Sequence, residues 1–351
     1  MMATTAYCTA LPLPTLPFKA AYMTPFTAET IQAIELREFG APENMQLITK
    51  PLPEPGPGEV RIRLKAVGLN MADTYQRTGL YPLPLPTGLG AEGAGLIEAI
   101  GENVELAIGT RVAFSMAFGA YAEAIVLPAS AVVRLPDGVS DEQAAAIMLK
   151  GMTVDYLFND TFPLHGGETV LFHAAAGGVG LIACQWAKHL GVTLIGTAST
   201  KAKCELAIAH GASECFLSDA PDLAETLKQA SGGQGFPVVY DSVGQATYRL
   251  SLEALAPFGT FASFGNASGP IASIVPAELA THGSLKFTRP TLGTYLFTPG
   301  WMQASADRLF ALMEAGALQP EINQRYKLTE VVQAHRDLEA RATTGCSVIL
   351  P

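Results

Sequence analysis

The stretch HAAAGGVG, residues 173–180, follows an apolar run typical of a β-strand and opens a run typical of an α-helix. Gly177 and Gly180 occupy the last two glycine positions of a G-x-G-x-x-G frame, and Ala175 stands at the first. Small residues at such a turn let the backbone approach a pyrophosphate, and the N-terminus of the helix supplies free N–H groups and a partial positive charge. The stretch therefore predicts a dinucleotide site, with a tight turn that binds nothing as the alternative.

Strands and helices alternate strictly from this turn onward. The predicted strands are ETVLFHA, VTLIGTA, ECFLS, PVVYDS, GTFASFG and SLKFT, and a helical stretch separates each strand from the next. Helices between consecutive strands act as crossover connections, which bring the strands into one parallel sheet. This part of the chain therefore predicts a doubly wound α/β domain.

The residues on either side have a different pattern. From about 30 to 135, segments such as EVRIRLKAVGLN alternate apolar and polar residues, as half-buried strands do. Ser140 and Gln143 have the spacing of a capping box and predict the start of a helix that contains Gly151. The tail after Arg289 predicts a helix, TEVVQAHRDLEAR, and a final strand, CSVILP. A chain of 351 residues exceeds what one core usually supports, so we expect two domains.

The composition argues against several classes of protein. The formal net charge is −10 and no cluster of Lys and Arg occurs, which disfavours a nucleic-acid partner. No apolar run reaches the roughly 18 to 20 residues that a membrane span needs. The 5 cysteines are scattered without a CxxC pair, so we expect no disulfide framework or zinc knuckle, and a reducing, cytoplasmic compartment. The 6 histidines have no Cys or Glu partner at ligand spacing, and we interpret them as structural or surface residues.

The start of the chain carries almost no charge. Residues 1–28 contain Lys19 and no other charged side chain, and Pro12, Pro14 and Pro17 interrupt any signal-peptide core. We expect residues 1–29 to form a disordered extension that precedes the fold.

The second strand of the parallel sheet ends in GTASTK, residues 196–201. NAD-binding units usually carry Asp or Glu here, which binds the ribose hydroxyls. This chain has Ser199 and Thr200 instead, with Lys201 and Lys203 close behind. A hydroxyl and an ammonium group suit the 2′-phosphate of NADP, and Ser199 and Lys203 are the best candidates. In the alternative interpretation the two lysines are solvated residues at the start of a helix.

Several longer motifs identify a family. The chain contains GLNMADTYQRTGLYP, GLGAEGAG, LKGMTV, LFHAAAGGVGLIACQWAKHLG, VVYDSVG, SFGN, TRP and RATTGCSVILP. Together these motifs resemble the bacterial NADPH:quinone oxidoreductases, zinc-free members of the medium-chain dehydrogenase/reductase superfamily and relatives of zeta-crystallin. The resemblance covers residues 30–351. It implies a β-rich GroES-like catalytic domain (30–149 and 289–351), a Rossmann cofactor domain (150–288), a cleft between them and a homodimer.

The resemblance also implies functional residues. The residues implied in catalysis are Asn70, Tyr75 and Tyr81. Those implied in NADPH binding are Asn70, Asp73, Lys150, Thr153, Tyr156, Gly177, Gly178, Val179, Ser199, Lys203, Ser218, Ser242, Phe264, Gly265, Asn266, Thr288, Arg289, Pro290 and Arg341. Ser218 departs from the family pattern, which has a tyrosine, so a hydroxyl remains at this position but the aromatic ring does not.

Each implied role has a structural alternative. Hydride transfer needs the nicotinamide and the acceptor at reacting distance in a dry cleft, and Tyr75 or Tyr81 can orient a quinone by a hydrogen bond to its carbonyl. Either tyrosine can equally be an ordinary half-buried residue. Asn70 can be the N-cap of a short helix, and we expect Asp73 to be structural rather than a base. Arg341 is predicted in the last turn of a helix, where a cation also complements the helix dipole.

The sequence also predicts that no metal takes part. In the zinc alcohol dehydrogenases of the same superfamily, one ligand is a cysteine at the position of Asn70, and another is the histidine of a G-H-E motif. Here Ala91 replaces that histidine and leaves Glu92 alone. Alanine has no lone pair to offer, and an amide is a poor zinc ligand. We therefore expect NADPH-dependent, metal-free reduction of a quinone. The alternatives are reduction of 2-alkenals or enones, or a non-catalytic NADPH-binding structural protein.

Overall fold

The computed structural model describes residues 29–351. All of the predicted N-terminal extension except Glu29 lies outside the described residues. Within them, no helix is both long and apolar enough to cross a membrane.

The first part of the described chain is mostly β-structure. Its elements are β1 (Thr30–Leu36), β2 (Met45–Pro51), β3 (Glu59–Leu69), α1 (Met71–Thr78), β4 (Glu92–Ile100), β5 (Arg111–Ser115), β6 (Ala124–Pro128), β7 (Val133–Arg134) and α2 (Asp141–Tyr156). Strand β3 shows the predicted alternation, because Val60, Ile62 and Leu64 are buried while Arg61 and Arg63 stay partly exposed. Ser140 caps α2 as its spacing with Gln143 predicts: its hydroxyl accepts from the Gln143 N–H at 3.2 Å.

The second part alternates strands and helices. Its elements are β8 (Thr169–Phe172), α3 (Gly178–Leu190), β9 (Thr193–Ala198), α4 (Lys201–Ala209), β10 (Glu214–Leu217), α5 (Leu223–Ala230), β11 (Phe236–Asp241), α6 (Tyr248–Ala254), β12 (Leu255–Ser263), α7 (Pro276–Thr281) and β13 (Lys286–Thr288). The 6 strands form one sheet in the order β10-β9-β8-β11-β12-β13. Every neighbouring pair in it is parallel, which confirms the predicted doubly wound domain.

The tail contains more structure than the sequence predicted. Its elements are α8 (Leu292–Leu296), α9 (Trp301–Glu314), β14 (Ile322–Lys327), α10 (Val331–Glu339) and β15 (Cys346–Leu350). Only α10 and β15 were predicted. No residue of β14, INQRYK, is buried. The segment therefore lacks the pattern of apolar residues from which a strand is predicted. Arg341 was predicted in the last turn of α10, which is wrong: the helix ends at Glu339, and Arg341 has a φ of +58°.

The tail contacts both parts of the fold. Strand β15 pairs antiparallel with β3 and parallel with β14, so the first sheet has the order β14-β15-β3-β4-β5-β7, with β6 paired to β3. Helix α9 instead packs on α2, with Ala306 and Leu309 in the same core as Val170 of β8. A Cβ at Gly151 of α2 would lie 2.7 Å from Leu309 Cδ2, which explains a glycine inside this helix. The division of the chain at residues 150 and 289 stays a prediction.

An ion pair fixes α9 against α2. Asp155 of α2 is fully buried, and its carboxylate accepts hydrogen bonds from Arg308 Nε at 2.9 Å and Nη2 at 2.6 Å. Removal of one partner from such a pair leaves a buried charge without compensation, which costs far more than loss of an exposed pair.

We predict that Arg308→Ala lowers the free energy of unfolding by about 3 kcal/mol, measured by urea titration, because the buried Asp155 carboxylate loses its counterion and keeps only the neutral Asn159 amide as a side-chain donor. The control is Arg336→Ala, which removes an ion pair between two half-exposed side chains, Arg336 and Glu43. That variant should cost less than about 1 kcal/mol. Equal losses in the two variants would contradict the assignment of Arg308 as a structural counterion.

Candidate active site

The residues predicted to bind the cofactor lie along one edge of the parallel sheet. Each of the 6 strands ends at this edge and is followed by one predicted group. In sheet order these groups are Ser218, Ser199, Gly177 to Val179, Ser242, Phe264 to Asn266 and Thr288 to Pro290. Ligands of open α/β sheets bind outside the carboxyl ends of the strands, and the edge is therefore the expected place for a dinucleotide.

The glycine turn leaves backbone donors free. Helix α3 begins at Gly178, and its first internal hydrogen bond runs from the Leu181 N–H to the Gly177 carbonyl at 2.9 Å. The N–H groups of Val179 and Gly180 donate to no other group in residues 29–351, whereas the Gly178 N–H faces the Gly345 carbonyl in an isolated bridge between Gly177 and Gly345. A Cβ at Gly178 would lie 2.8 Å from Lys150 Cδ and 3.0 Å from the Gly345 carbonyl oxygen, so only glycine fits between these neighbours. The turn fits an anion at the start of the helix.

Two cations meet beyond the end of β9. Lys203 Nζ donates to the Arg341 carbonyl oxygen at 2.7 Å, which brings the tail against the start of α4. Partial burial and the Arg341 charge lower the pKa of Lys203. No carboxylate in the described part of the chain forms an ion pair with either side chain. Ser199 is exposed beside them, whereas Lys201 is solvated and pairs with Glu205 at 3.9 Å.

Two tyrosines connect the first part of the fold to the end of the parallel sheet. The rings of Tyr75 on α1 and Tyr81 just beyond it meet edge to face, with centroids 5.3 Å apart. Tyr75 Oη accepts from the Asn266 N–H at 3.2 Å, and burial raises the pKa of Tyr75 to about 12. Tyr81 Oη accepts from Asn266 Nδ2 at 2.8 Å and from Arg289 Nη2 at 2.9 Å. Asn266 and Arg289 thus bind the tyrosines here, and their contact with a cofactor stays a prediction.

Tyr156 and Thr153 lie on the last turns of α2. Tyr156 stacks on Tyr295 with ring centroids 4.6 Å apart, and Thr153 Oγ1 donates to the Leu149 carbonyl at 2.8 Å. Both residues are buried, and both lie on the helix that carries Lys150. Their predicted contact with the cofactor is not tested by these bonds.

Asn70 begins a buried polar cluster that the sequence did not predict. Asn70 is the N-cap residue of α1, as expected in the structural alternative, and its N–H donates to Asp73 Oδ2 at 2.8 Å. Its side-chain amide donates elsewhere, to Glu92 Oε1 at 2.9 Å. Lys150 Nζ donates to the same oxygen at 2.8 Å. Glu92, which the motif leaves without its histidine, is fully buried and bound by the Asn70 and Lys150 side chains.

Asp73 is fully buried and accepts two hydrogen bonds, while its structural role and its contact with the cofactor both stay predictions. The Tyr121 hydroxyl donates to Asp73 Oδ2 at 2.8 Å, and His335 Nε2 lies 3.1 Å from the same hydroxyl. Because the single Tyr121 proton goes to Asp73, His335 must donate from Nε2. Burial raises the pKa of Asp73 to about 7 and lowers the pKa of His335 to about 3. Tyr121 and His335 come from elements distant in sequence, and nothing in their local patterns indicated this cluster.

A second polar cluster lies under the glycine turn. His173, at the end of β8, bonds to Thr197 Oγ1 at 2.8 Å and to Ser251 Oγ at 3.1 Å. Ser251 and Thr247 donate to Asp241 Oδ2 at 2.8 Å and 2.7 Å. All these groups are buried, and burial lowers the pKa of His173. The cluster is a support for the carboxyl ends of β8, β9 and β11.

Within residues 29–351, no three His, Cys, Asp or Glu side chains come together in a group that could hold a metal ion. The 4 cysteines of this part are free.

The fold agrees with comparisons to known proteins. Residues 178–308 match the zinc-binding dehydrogenase family, and residues 56–137 match the alcohol dehydrogenase GroES-like domain. The quinone oxidoreductase of Pseudomonas aeruginosa is 52% identical over 321 residues, which is 91% of this chain and 99% of that protein. The 2-haloacrylate reductase of a Burkholderia species is 38% identical, with 92% and 99% covered.

Solved structures show the same relationship. The Escherichia coli quinone oxidoreductase, solved in complex with NADPH, is 42% identical with a TM-score of 0.89, and the match covers 91% of this chain and 100% of that one. The sequence resemblance, the GroES-like and Rossmann architecture and these identities lead to one assignment: the chain belongs to the zeta-crystallin-like quinone oxidoreductase family of the medium-chain dehydrogenase/reductase superfamily.

Proposed function

We propose that this protein is an NADPH-dependent reductase of quinones. The observation that carries the proposal is the tyrosine pair: Tyr75 and Tyr81 come from the GroES-like part, and both are bound by groups beyond the carboxyl ends of the Rossmann strands. One cleft thus contains both the sheet edge that fits a dinucleotide and the tyrosine pair that is suited to bind an acceptor molecule. Relatives named as quinone oxidoreductases at 42% to 52% identity support it.

The chain has the residues that NADPH requires. The free N–H groups of Val179 and Gly180 suit the pyrophosphate, and Lys203, Arg341 and Ser199 suit the 2′-phosphate. No acid stands at the end of β9 to repel that phosphate. When bound, NADPH supplies the hydride that reduces the acceptor.

Tyr81 is suited to donate a hydrogen bond to the acceptor. Its oxygen already accepts from Asn266 and Arg289, so both lone pairs are in use and the hydroxyl proton remains to be donated. No group in the described residues accepts that proton. A quinone carbonyl gains negative charge as it takes up hydride, and a fixed donor stabilises that charge. The Arg289 guanidinium beside the phenol adds positive charge at the same place.

One relative favours a second class of substrate. The 2-haloacrylate reductase reduces, by its name, an activated alkene, and it covers nearly the whole chain at 38% identity. An enone or 2-alkenal, like a quinone, carries a carbonyl conjugated to a carbon that accepts hydride, so the same donor would serve it.

We further propose metal-free catalysis, a homodimer and a cytoplasmic location. The first rests on Asn70 and Ala91, which stand where zinc-dependent relatives have ligands and offer none suited to zinc. The dimer is what the family resemblance implies. The location follows from cysteines that are free within residues 29–351.

The activity is tested by NADPH oxidation with a panel of quinones and 2-alkenals under steady-state conditions. We expect turnover with at least one quinone, and a higher kcat/KM for quinones than for 2-alkenals. Turnover with 2-alkenals alone would support the second class. NADPH binding by calorimetry without turnover of any acceptor would indicate a non-catalytic NADPH-binding protein instead.

We predict that Lys203→Ala raises the KM for NADPH about tenfold or more and leaves the KM for NADH nearly unchanged. A charge-assisted contact to phosphate contributes about 1.5–3 kcal/mol. NADH has no 2′-phosphate, so its binding does not depend on this contact. Lys201→Ala is the matched control, because this side chain is 86% exposed and should affect neither cofactor. Equal use of NADPH and NADH by the unmutated enzyme would refute the assignment of this site.

We predict that Tyr81→Phe lowers kcat/KM for the quinone about five- to tenfold, because a net hydrogen bond of about 1–1.5 kcal/mol to the acceptor is lost. The KM for NADPH should stay close to its original value. Tyr326→Phe, which removes a hydroxyl bound to Asp337 outside this cleft, should change neither parameter. Unchanged quinone turnover in Tyr81→Phe would exclude the phenol from contact with the acceptor.

A further inference from the structure

Glu92 is a fully buried carboxylate with three hydrogen-bond donors. Oε1 accepts from Asn70 Nδ2 and Lys150 Nζ, and Oε2 accepts from the Leu149 N–H at 2.6 Å. Glu92 begins β4, Asn70 follows β3, and both Lys150 and Leu149 belong to α2. The carboxylate therefore joins three elements beside the cleft, one of which carries a predicted catalytic residue.

The orientation of the Asn70 amide follows from this contact. An ionised carboxylate accepts hydrogen bonds and cannot donate one, so only the NH₂ end of the amide can face Glu92. The carbonyl oxygen, Oδ1, must then point away from it. Apart from the capping-box contact with the Asp73 N–H, no donor in residues 29–351 reaches Oδ1, so at least one of its two lone pairs stays free, although Asn70 is only 5% exposed. The site thus retains an acceptor, held in one direction, for a donor that the protein itself does not supply.

Lys150 lies beside the carboxylate as its counterion, with Nζ 2.8 Å from Oε1. Burial by itself would lower the pKa of Lys150, but the charge of Glu92 outweighs it, so the pKa is raised overall. The stem of Lys150 lies against Gly178, so the same ion pair also borders the glycine turn.

Gly68 confirms that the space for Glu92 is built into the strand beside it. A Cβ at this position would collide with Glu92 Oε1 and with the Ala145 carbonyl oxygen of α2. Only glycine in β3 therefore allows the carboxylate to lie between the strand and the helix.

We propose that Glu92 is a positioning residue, which fixes Asn70 so that Oδ1 accepts from an N–H or O–H at the nicotinamide end of NADPH. The inference rests on the proposed function, because it concerns the cofactor of that reaction. The chemical groups that fit are the carboxamide NH₂ of the nicotinamide or a hydroxyl of its ribose, both of which are donors.

The test is a double-mutant cycle on NADPH affinity. Glu92→Gln offers an amide that must present its NH₂ group either to Leu149 or to Asn70, so one donor always faces another donor. Glu92→Gln and Asn70→Ala should each raise the Kd for NADPH, measured by calorimetry, about tenfold. If Glu92 acts through Asn70, the double variant should also be about tenfold weaker. A double variant about a hundredfold weaker, or a Glu92→Gln variant with unchanged Kd, would overturn the inference.

Two controls separate positioning from loss of structure. Glu98→Gln alters another carboxylate of β4, one bound to Arg61 at 2.8 Å and Arg63 at 2.9 Å, and should leave the Kd unchanged. Should Glu92→Gln fail to fold, Glu92→Asp replaces it in the cycle, since it keeps a negative charge, which the flexible Lys150 side chain can follow, and draws the carboxylate back from the Asn70 amide. The Kd is read without any acceptor, so absence of quinone turnover would refute the proposed function and leave this test intact.

Discussion

The buried ammonium of Lys150 is the constraint on which the cleft depends. A lysine inside a protein is tolerated when an opposite charge lies within hydrogen-bond distance, and Glu92 provides that charge at 2.8 Å. This ion pair also restricts the residues packed around it. Gly68 must lack a side chain because the Glu92 carboxylate occupies that space, and Gly178 must lack one because the Lys150 side chain packs against it. The first sheet, helix α2 and the glycine turn are thereby placed relative to one another by one ion pair.

A second buried network of hydrogen bonds lies at the carboxyl ends of the parallel strands, where the cofactor is expected to bind. Ser251 gives its proton to Asp241, so its oxygen must accept from His173 Nε2, and His173 Nδ1 is left to accept from Thr197. Every donor in this chain of bonds thus has one acceptor. Burial keeps His173 neutral by lowering its pKa, and the neutral ring has the one donor and one acceptor that the network needs. Strands β8, β9 and β11 are held together where their ends shape the dinucleotide crevice.

The sequence was sufficient for the parallel domain because its signals are local. Each strand is a short apolar run, each helix has its own periodicity, and the glycine turn lies at their junction, so all 6 strands were predicted in the right places. The tail was harder. Helix α9 packs on α2, which lies more than a hundred residues earlier in the chain, so its local sequence does not reveal that contact. Strand β14 is polar because both its faces stay partly exposed.

The places of the predicted site residues in the fold followed from the same local signals. Residues within motifs, such as Ser199 and Lys203, could be placed from the order of the strands alone. Glu92 could not, because its role depends on Asn70 and Lys150, which approach it only in the folded chain. The alanine at position 91 predicted that this motif does not bind zinc. Only the three-dimensional structure shows that Glu92 accepts hydrogen bonds from Asn70 and Lys150.

The charges of this protein divide into two kinds by whether they are compensated. Glu92, Asp155 and Asp241 are buried and fully bound by donors, so they cost little and hold elements in place. Lys203 and Arg341 are adjacent like charges without a carboxylate partner in residues 29–351, and burial, followed by the Arg341 charge, lowers the pKa of Lys203. A fold gains nothing from such repulsion, which costs stability until an anion relieves it. Binding of that anion therefore recovers the cost and stabilises the folded state by mass action. Compensated charges thus belong to the scaffold, and the uncompensated pair lies where the 2′-phosphate of NADPH is predicted to bind.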